Sequence, residues 1–380
     1  MRVAHIVCKF PPYQSGMGNA ACEQAIGTAR NNQVVVFALN GGLEKVQHDG
    51  FKTVWLKPWL KIGNGGFCFS LLWQLRDFDI IQLHYPFFGG QEIIWFGKKF
   101  GFFKKQKLLI YYHMDVEFDN FLLKILSLPS RLLQESLFKM AGKIACSTID
   151  YVEHADIKNI YKKNKNKFVE IPFGARQLSA DSYQSTTNKQ KLDISADEKI
   201  VLFVGNLDKA HYFKGVDVLI RAFSYVIKKN EKTRLIVVGA GNLLEKYKAC
   251  AAKENSLGKI IFAGKTDDRA LAAYYQMCDI CVAPAINKSE AFSLTMLEAK
   301  SFGKAVIASD LPGVRQVASF MRSGFLVKPC DAADLAQKMA ELLKNDQLRL
   351  QMGKAGLEQI KAEYNWQAHT KKLETVYKSI

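Results

Sequence analysis

The sequence has no hydrophobic run long enough to cross a membrane. A membrane span needs roughly 18 or more apolar residues, and the richest stretch, from Phe118 to Leu137, is interrupted by Lys124, Pro129 and Arg131. The first residues, Met1 to Val7, have the pattern of a strand and lack the small-residue cleavage site of a secretory signal. We therefore expect a protein that neither spans a membrane nor is exported.

The sequence also lacks a cysteine framework. Its eight cysteines are scattered, which favours a reducing, cytoplasmic environment. Cys278 and Cys281 match a C-x-x-C pattern without a second pair and lie in an apolar stretch, so we interpret them as buried apolar side chains. Asp77 and Asp79 match an Asp-x-Asp metal motif, but they precede a strand and so lie at the sheet end away from ligands. We interpret both carboxylates as solvated.

Acidic residues are in deficit. The chain has 53 Lys and Arg against 36 Asp and Glu, a net charge of +17, spread evenly over its two halves. A positive surface suits phosphate-bearing substrates, an anionic membrane face or nucleic acid. Because the charge is evenly spread and no nucleic-acid-binding module is recognisable, we expect no nucleic-acid partner.

Short apolar strands alternate with helical segments along the whole chain, a pattern typical of parallel, doubly wound α/β sheets. The first half predicts strands at 3–8, 33–39, 52–56, 80–84 and 108–112. The second half predicts strands at 199–204, 234–238, 259–262, 280–283 and 305–308. Residues 177–191 between them have the composition of a linker.

The stretch from Lys288 to Ala308 carries the strongest chemical pattern. Glu290 and Glu298 lie eight positions apart, and Ser289 is a candidate N-cap for a helix between them. A helical interval would separate the two carboxylates by about 12 Å along its axis. First-turn N–H groups near Phe292 and Ser293 would then face a diphosphate, with a sugar at one carboxylate and a ribose at the other.

Further candidates lie where predicted strands end. Gly16 and Gly18 stand between the first strand and a helix predicted near Asn19 to Arg30, in a position that fits either a phosphate-binding loop or a plain turn. His84 and His113 end two other strands, where ligands of doubly wound sheets gather.

The segment from Glu290 to Glu298, followed by Gly303-Lys304, resembles the signature of the family 4 retaining glycosyltransferases, and the likeness extends over nearly all of the chain. It implies the GT-B fold, in which two doubly wound Rossmann-like domains face each other across a central cleft. We expect an acceptor-side domain at 1–176, a linker at 177–198, a nucleotide-sugar domain at 199–362 and a terminal helix at 363–380 that crosses back to the first domain.

The resemblance implies a retaining, metal-independent hexosyltransferase that uses a UDP- or GDP-linked sugar, has no cofactor, and acts on a glycan or lipid-linked acceptor in polysaccharide or glycolipid synthesis. It assigns catalytic roles to Glu290, His113 and Lys214. The residues that it places at the donor are Gly16, Gly18, Asn206, Lys214, Lys265, Thr266, Ala291, Phe292, Ser293, Leu294 and Glu298.

One position departs from the family pattern. Asn206 stands where the family has an arginine, and an amide brings no charge to a diphosphate. Lys209 or His211 is a candidate to compensate. The departure keeps a nucleotide-sugar-binding scaffold open as an alternative, beside an epimerase of the same fold; a phosphorylase is disfavoured because its cofactor-lysine motif is missing from the sequence.

Two segments mix aromatic and basic residues. Residues 95–107 and 118–143 fit either helices that lie on anionic lipid or ordinary amphipathic helices packed on the sheet. We therefore add an anionic membrane surface, at the inner face of the plasma membrane, as a candidate partner.

Overall fold

The computed structural model describes residues 1–12, 15–39, 50–116, 121–178, 189–190, 192–319 and 323–380. The chain divides into two compact units. The first comprises Met1–Phe173 and Trp366–Ile380, and the second comprises Gly174–Asn365. The first unit thus ends three residues before the expected boundary at residue 176, so that Gly174 to Arg176 belong to the second.

A seven-stranded parallel sheet forms the first unit, with the strand order β3-β2-β1-β6-β7-β8-β9. Its strands are β1 Arg2–Val7, β2 Gln33–Leu39, β3 Lys52–Leu56, β6 Ile80–Tyr85, β7 Lys107–Tyr112, β8 Lys143–Cys146 and β9 Phe168–Glu170, and a separate hairpin comprises β4 Leu60–Ile62 and β5 Gly65–Phe67. All six residues of β6 are buried, as expected for a central strand covered on both faces.

Helices connect these strands. They are α1 Gly16–Thr28, α2 Leu71–Gln74, α3 Gly90–Lys99, α4 Phe121–Leu126, α5 Leu128–Met140, α6 Ile149–His154 and α7 Lys158–Lys163. The chain order reverses between β1 and β6, so the residues that follow these two strands flank the switch point of the sheet.

The second unit is a six-stranded parallel sheet with the order β12-β11-β10-β13-β14-β15. Its strands are β10 Lys199–Val204, β11 Thr233–Val238, β12 Ile260–Gly264, β13 Ile280–Ala283, β14 Ala305–Ser309 and β15 Gly324–Val327. Its helices are α8 Val216–Ile227, α9 Leu244–Lys253, α10 Asp268–Met277, α11 Leu294–Ser301, α12 Val314–Ser319, α13 Ala332–Lys344 and α14 Asp346–Ala362. The switch point of this sheet lies between β10 and β13.

The two sheets confirm the predicted class of doubly wound α/β folds. The expected strands are present with bounds shifted by at most two residues. The short strands β8, β9 and β15 and the hairpin were not among the predicted elements, because runs of three or four residues carry little periodic signal.

The last helix, α15 Trp366–Ser379, packs in the first unit against α1. The amide of Asn31 donates to the carboxylate of Glu374 at 3.0 Å. His369 Nδ1 donates to the carbonyl oxygen of Pro172 at 2.7 Å. The terminal helix that the sequence predicts within residues 363–380 is therefore present.

The helix α1 begins three residues earlier than predicted, so Gly16 and Gly18 lie in its first turn and not in a loop. Ser15 caps the helix, because its hydroxyl accepts from Gly18 N at 3.0 Å. A Cβ at position 18 would lie 2.8 Å from the carbonyl oxygen of Lys9. Glycine is therefore required here, because a larger residue would collide with the backbone of Lys9, two residues after β1.

A buried lysine lies in the second unit. Lys300, on α11, is fully buried, and its ammonium donates to Ser323 Oγ and Gln359 Oε1, each at 2.6 Å, and to the carbonyl oxygen of Val317. Burial lowers the pKa of Lys300 to about 7, and Glu363 partly opposes this shift. The hydrogen bonds orient the amine, but the amine binds its proton less tightly in the folded protein than it would in water.

We expect the unfolding free energy of the wild type to rise, relative to that of Lys300→Met, as the pH increases from 7 toward 10. The pKa of this lysine is 10.5 in the unfolded chain and about 7 in the folded one. In this window the unfolded state therefore binds more protons, and each pH unit adds up to about 1.4 kcal/mol to stability. Below pH 7 both states are protonated and the difference is constant.

Chemical denaturation at about pH 7 and about pH 10 measures this change. Lys354→Met, which alters an exposed lysine of the same unit, is the matched control and should follow the wild type at both pH values. Parallel profiles for the wild type and Lys300→Met would contradict the lowered pKa.

Candidate functional site

The loop before α11 differs from the helix that the sequence predicts. Ser289 is not the N-cap; its N–H donates to Asn287 Oδ1 at 3.0 Å in an Asx turn. The helix begins at Leu294, after Ser293 in extended conformation. Glu290 therefore lies in the loop, and the separation calculated for a continuous helix does not apply to this interval.

Two residues predicted to be catalytic meet directly. Lys214 Nζ lies 2.5 Å from Glu290 Oε2, with side chains 20% and 8% exposed. Lys214 follows β10 and Glu290 follows β13, the two strands at the switch point of the second sheet. The pair thus lies where ligands of doubly wound sheets bind.

Gly215 allows the two loops to approach each other. Its φ is +70°, and a Cβ at this position would lie 2.0 Å from the carbonyl oxygen of Pro284. The backbone N–H of Ile286 donates to the carbonyl oxygen of Phe213 at 2.8 Å. The backbone contact therefore places Lys214 against the loop that carries Glu290.

Glu298, on α11, is 8% exposed and has two partners in the second unit. Arg176 Nε donates to its Oε1 at 3.2 Å, and the hydroxyl of Tyr275 donates to its Oε2 at 2.9 Å. Burial raises the pKa of Glu298, and the guanidinium of Arg176 opposes this shift. Arg176 also donates to Asp268 Oδ1 at 2.9 Å, so it joins two carboxylates.

Sequence reasoning missed Arg176 and Tyr275. A weak signal existed for the arginine, because it is the one cation between Lys167 and Lys189 in the sequence. The N–H of its neighbour Ala175 donates to the carbonyl oxygen of Tyr364 at 2.8 Å, which holds this segment on the second unit.

The start of α11 lies between the two glutamates in sequence. Ala291, Phe292 and Ser293 are buried and Leu294 is half-buried. Within the described residues, the side chain of Ser293 does not accept from the first-turn N–H groups but bonds to Thr295 Oγ1 at 3.1 Å. The predicted diphosphate contact thus shifts toward the N–H groups from Leu294 onward.

The other donor-side candidates follow two strands of the second sheet, β10 and β12, between which β11 lies. Asn206 is half-buried in the loop after β10, and Lys265 and Thr266 follow β12, exposed and half-buried respectively. His211 Nδ1 lies 2.7 Å from Asp208 Oδ1, so its ring is already bonded to a neighbouring carboxylate. Lys209 is exposed on the same turn.

The two histidine candidates in the first unit are buried. His113, which follows β7, is 6% exposed, and its Nε2 lies 2.9 Å from Nδ1 of the fully buried His84. Burial lowers the pKa of His113 to about 3, and His369 adds to this effect. His113 is therefore a neutral imidazole at ordinary pH.

Among the described residues, no group of three or more His, Cys, Asp or Glu side chains is placed to hold a metal ion. Cys278 and Cys281 are buried free thiols, as the sequence predicts. In the part of the chain that the structure describes, no helix is both long and apolar enough to cross a membrane.

The fold has solved counterparts. HepE of Anabaena, in a complex with UDP-glucose, gives a TM-score of 0.74 over 100% of both chains at 14% sequence identity. At this identity the match shows the fold alone. The shared fold agrees with the two doubly wound sheets of this chain.

Sequence comparisons give the family. The model of the glycosyl transferases group 1 matches residues 184–359. O-antigen chain mannosyltransferase C of Escherichia coli is 25% identical over 359 residues, 91% of this chain and 90% of that protein. An uncharacterized glycosyltransferase of Methanocaldococcus jannaschii is 30% identical over 308 residues, 80% of this chain and 76% of that protein. The chain therefore belongs to the group 1 glycosyltransferases of the GT-B fold, the family 4-like enzymes that its sequence resembles.

Proposed function

We propose that the protein is a retaining glycosyltransferase that moves a hexose from a nucleotide-diphosphate sugar to a glycan or lipid-linked acceptor, in polysaccharide or glycolipid synthesis. The observation that carries the proposal is the ion pair of Lys214 and Glu290 beside the helix that bears Glu298. The UDP-glucose bound to HepE supports the donor class. The name of the Escherichia coli relative supports a polysaccharide acceptor.

Glu298 binds the ribose in this proposal. Among the residues that the structure describes, Arg176 donates to one of its oxygens and Tyr275 to the other, and each oxygen keeps a second acceptor position. Ribose hydroxyls are donors and can occupy these positions. Arg176 and Tyr275 hold the carboxylate in one orientation before the nucleotide binds, so its side chain loses little conformational entropy on binding.

Lys214 and the first turn of α11 receive the diphosphate. Phosphate oxygens compete with Glu290 for the ammonium, and the helix N-terminus adds a favourable dipole. Negative charge grows on the diphosphate as the glycosidic bond breaks, so a fixed cation there stabilises the transition state more than the ground state. Glu290, released from Lys214, accepts hydroxyl donors of the hexose.

In this proposal His113 lies beside the transferred sugar and the acceptor. We assign no side chain as a covalent nucleophile. The acceptor hydroxyl attacks on the face from which the diphosphate leaves, and its proton passes to the departing phosphate oxygen. Retention of configuration follows, and the reaction uses neither a metal nor a cofactor.

We expect Glu298→Gln to weaken donor binding by about 10- to 100-fold, because a charged acceptor of two hydroxyls is replaced by a neutral amide. Calorimetric titration with UDP-, GDP- and ADP-sugars measures the change in donor affinity and identifies the nucleobase of the donor. Glu245→Gln, at an exposed glutamate of the same unit, is the matched control and should bind like the wild type. Equal donor affinity in Glu298→Gln and the wild type would contradict the assigned ribose contact.

We expect Lys214→Met to lower kcat by roughly 100- to 1000-fold, because the departing diphosphate loses its fixed cation. The assay is nucleotide release in the presence of donor and acceptor, with Lys246→Met, an exposed lysine, as the control. A wild type that binds donor but releases no nucleotide with any acceptor would favour a binding scaffold. A kcat unchanged in Lys214→Met would remove the lysine from the mechanism.

We also propose that the segment 118–143, of which the structure describes residues 121–143, contacts an anionic membrane that carries the acceptor. Phe121 is 76% exposed and Leu132 is 81% exposed. The exposed Lys124 follows Phe121 by three residues, and the exposed Arg131 directly precedes Leu132. Apolar side chains with adjacent positive charge fit the boundary between lipid headgroups and acyl chains. Residues 118–120 of the predicted lipid-binding segment lie outside the described residues.

We expect the double variant Phe121→Ser/Leu132→Ser to lose at least about tenfold in affinity for anionic vesicles, since it removes two large side chains from the contact. Co-sedimentation at low salt measures this. Leu350→Ser, at a leucine that is 75% exposed in the second unit, is the matched control and should bind like the wild type. Equal sedimentation of the double variant and the wild type, or none of either, would contradict this surface.

A further inference from the structure

The hydrogen bond between Glu298 and Tyr275 is compatible with either protonation state of the glutamate. In the ionised state the hydroxyl of Tyr275 donates to Glu298 Oε2 at 2.9 Å. The same hydroxyl lies 3.3 Å from the carbonyl oxygen of Thr295, which can only accept. A protonated Oε2 could therefore donate to Tyr275 while Tyr275 donates to Thr295. This hydrogen bond does not by itself determine the charge of the carboxyl group.

Arg176 favours only the ionised state. Its Nε donates to Glu298 Oε1 at 3.2 Å, and its side chain is 26% exposed, so water screens its charge only in part. A guanidinium has donors and no acceptor, and it stays charged at every pH at which the protein folds. Its Nη1 donates to Asp268 Oδ1, on α10, at 2.9 Å. The positive charge beside Glu298 is therefore held in place from two sides.

Burial acts in the opposite direction to Arg176. It raises the pKa of Glu298, and the charge of Arg176 is the largest effect that opposes it, followed by the hydrogen bond from Tyr275. The negative charge of Asp268 raises the pKa of Glu298 further. Cys281, on β13, also faces the carboxyl group, and burial raises the pKa of its thiol, which is therefore neutral. The positive charge in this set comes from Arg176.

We propose that Arg176 is a positioning residue that keeps Glu298 ionised in the free protein, so that both carboxylate oxygens are acceptors when the donor arrives. A neutral carboxyl group has a proton on one oxygen and forms weaker hydrogen bonds with ribose hydroxyls, because it brings no charge to them. This inference rests on the proposed function where it names the ribose. The charge of Glu298 itself is a property of the free protein.

Carboxyl ¹³C NMR of the free, full-length protein tests the charge, because the signal of a carboxyl carbon moves when the group takes up a proton. Glu298→Gln identifies the signal of Glu298. We expect Glu298 to take up its proton at a higher pH in Arg176→Met than in the wild type, since a buried carboxylate has then lost its counter-charge. Arg176→Gln serves if Arg176→Met does not fold. Arg221→Met, at an exposed arginine of the same unit, is the matched control and should titrate like the wild type.

Donor binding tests the consequence. A protonated Glu298 must release its proton before it accepts the ribose, so affinity falls by up to about tenfold for each pH unit below its pKa. We expect the loss of donor affinity in Arg176→Met, relative to the wild type, to be at least about tenfold larger at about pH 6 than at about pH 8. Calorimetric titration with UDP-, GDP- and ADP-sugars at both pH values measures this ratio. Arg176→Lys should restore part of the affinity at the lower pH, because it returns the charge without the guanidinium geometry.

The pH dependence separates a charge effect from a merely structural one. If Arg176 only oriented the side chain, its removal would weaken donor binding equally at both pH values. In a Glu298→Gln background, the pH-dependent part of the loss should vanish. A titration of Glu298 unchanged in Arg176→Met and Arg176→Gln, or a loss of affinity that is equal at both pH values, would overturn the inference. The expected NMR titration in a protein that binds no nucleotide sugar would instead count against the proposed function.

Discussion

The ion pair of Lys214 and Glu290 is the interaction on which the candidate site depends. It joins loops that follow β10 and β13, which are neighbours at the switch point of the sheet although a long stretch of chain separates them. Gly215 permits the close backbone approach that brings the two charges together. Because both groups are largely buried, removing one leaves the other without its counter-charge, which costs more than the pair itself contributes. The site is therefore ordered before a donor arrives.

The fold could be predicted because its signals are local, whereas part of the site could not. Apolar strands and the spacing of the two glutamates are visible in short windows of sequence. The loop at Glu290 was mistaken for helix because the Asx turn of Asn287 competes with the helix and has a weak sequence signal. Arg176 was missed because its partners Asp268 and Glu298 lie 92 and 122 residues away in the chain. Such ion pairs are created by the tertiary fold and have no local pattern.

Each unit buries polar side chains, and the two cases differ in what burial does. Lys300 keeps three acceptors but binds its proton less tightly, so burial costs stability at neutral pH. The imidazoles of His84 and His113, in contrast, are neutral at ordinary pH, because burial lowers the pKa of both.

In the proposed mechanism, the amide at Asn206 makes the charge on Lys214 more important than in the family pattern. An arginine and a lysine together would bring two positive charges to the diphosphate, and here one comes from Lys214 while His211 is bonded to Asp208. For the proposed nucleotide donor, the net charge of +17 is attractive at a distance, but salt screens that field beyond about 10 Å, so the field favours encounter more than transition-state stabilisation. Charge that forms on the leaving group at the moment of bond breaking requires a donor in contact with it. In the proposed mechanism that requirement falls on Lys214 and on the N–H groups at the start of α11.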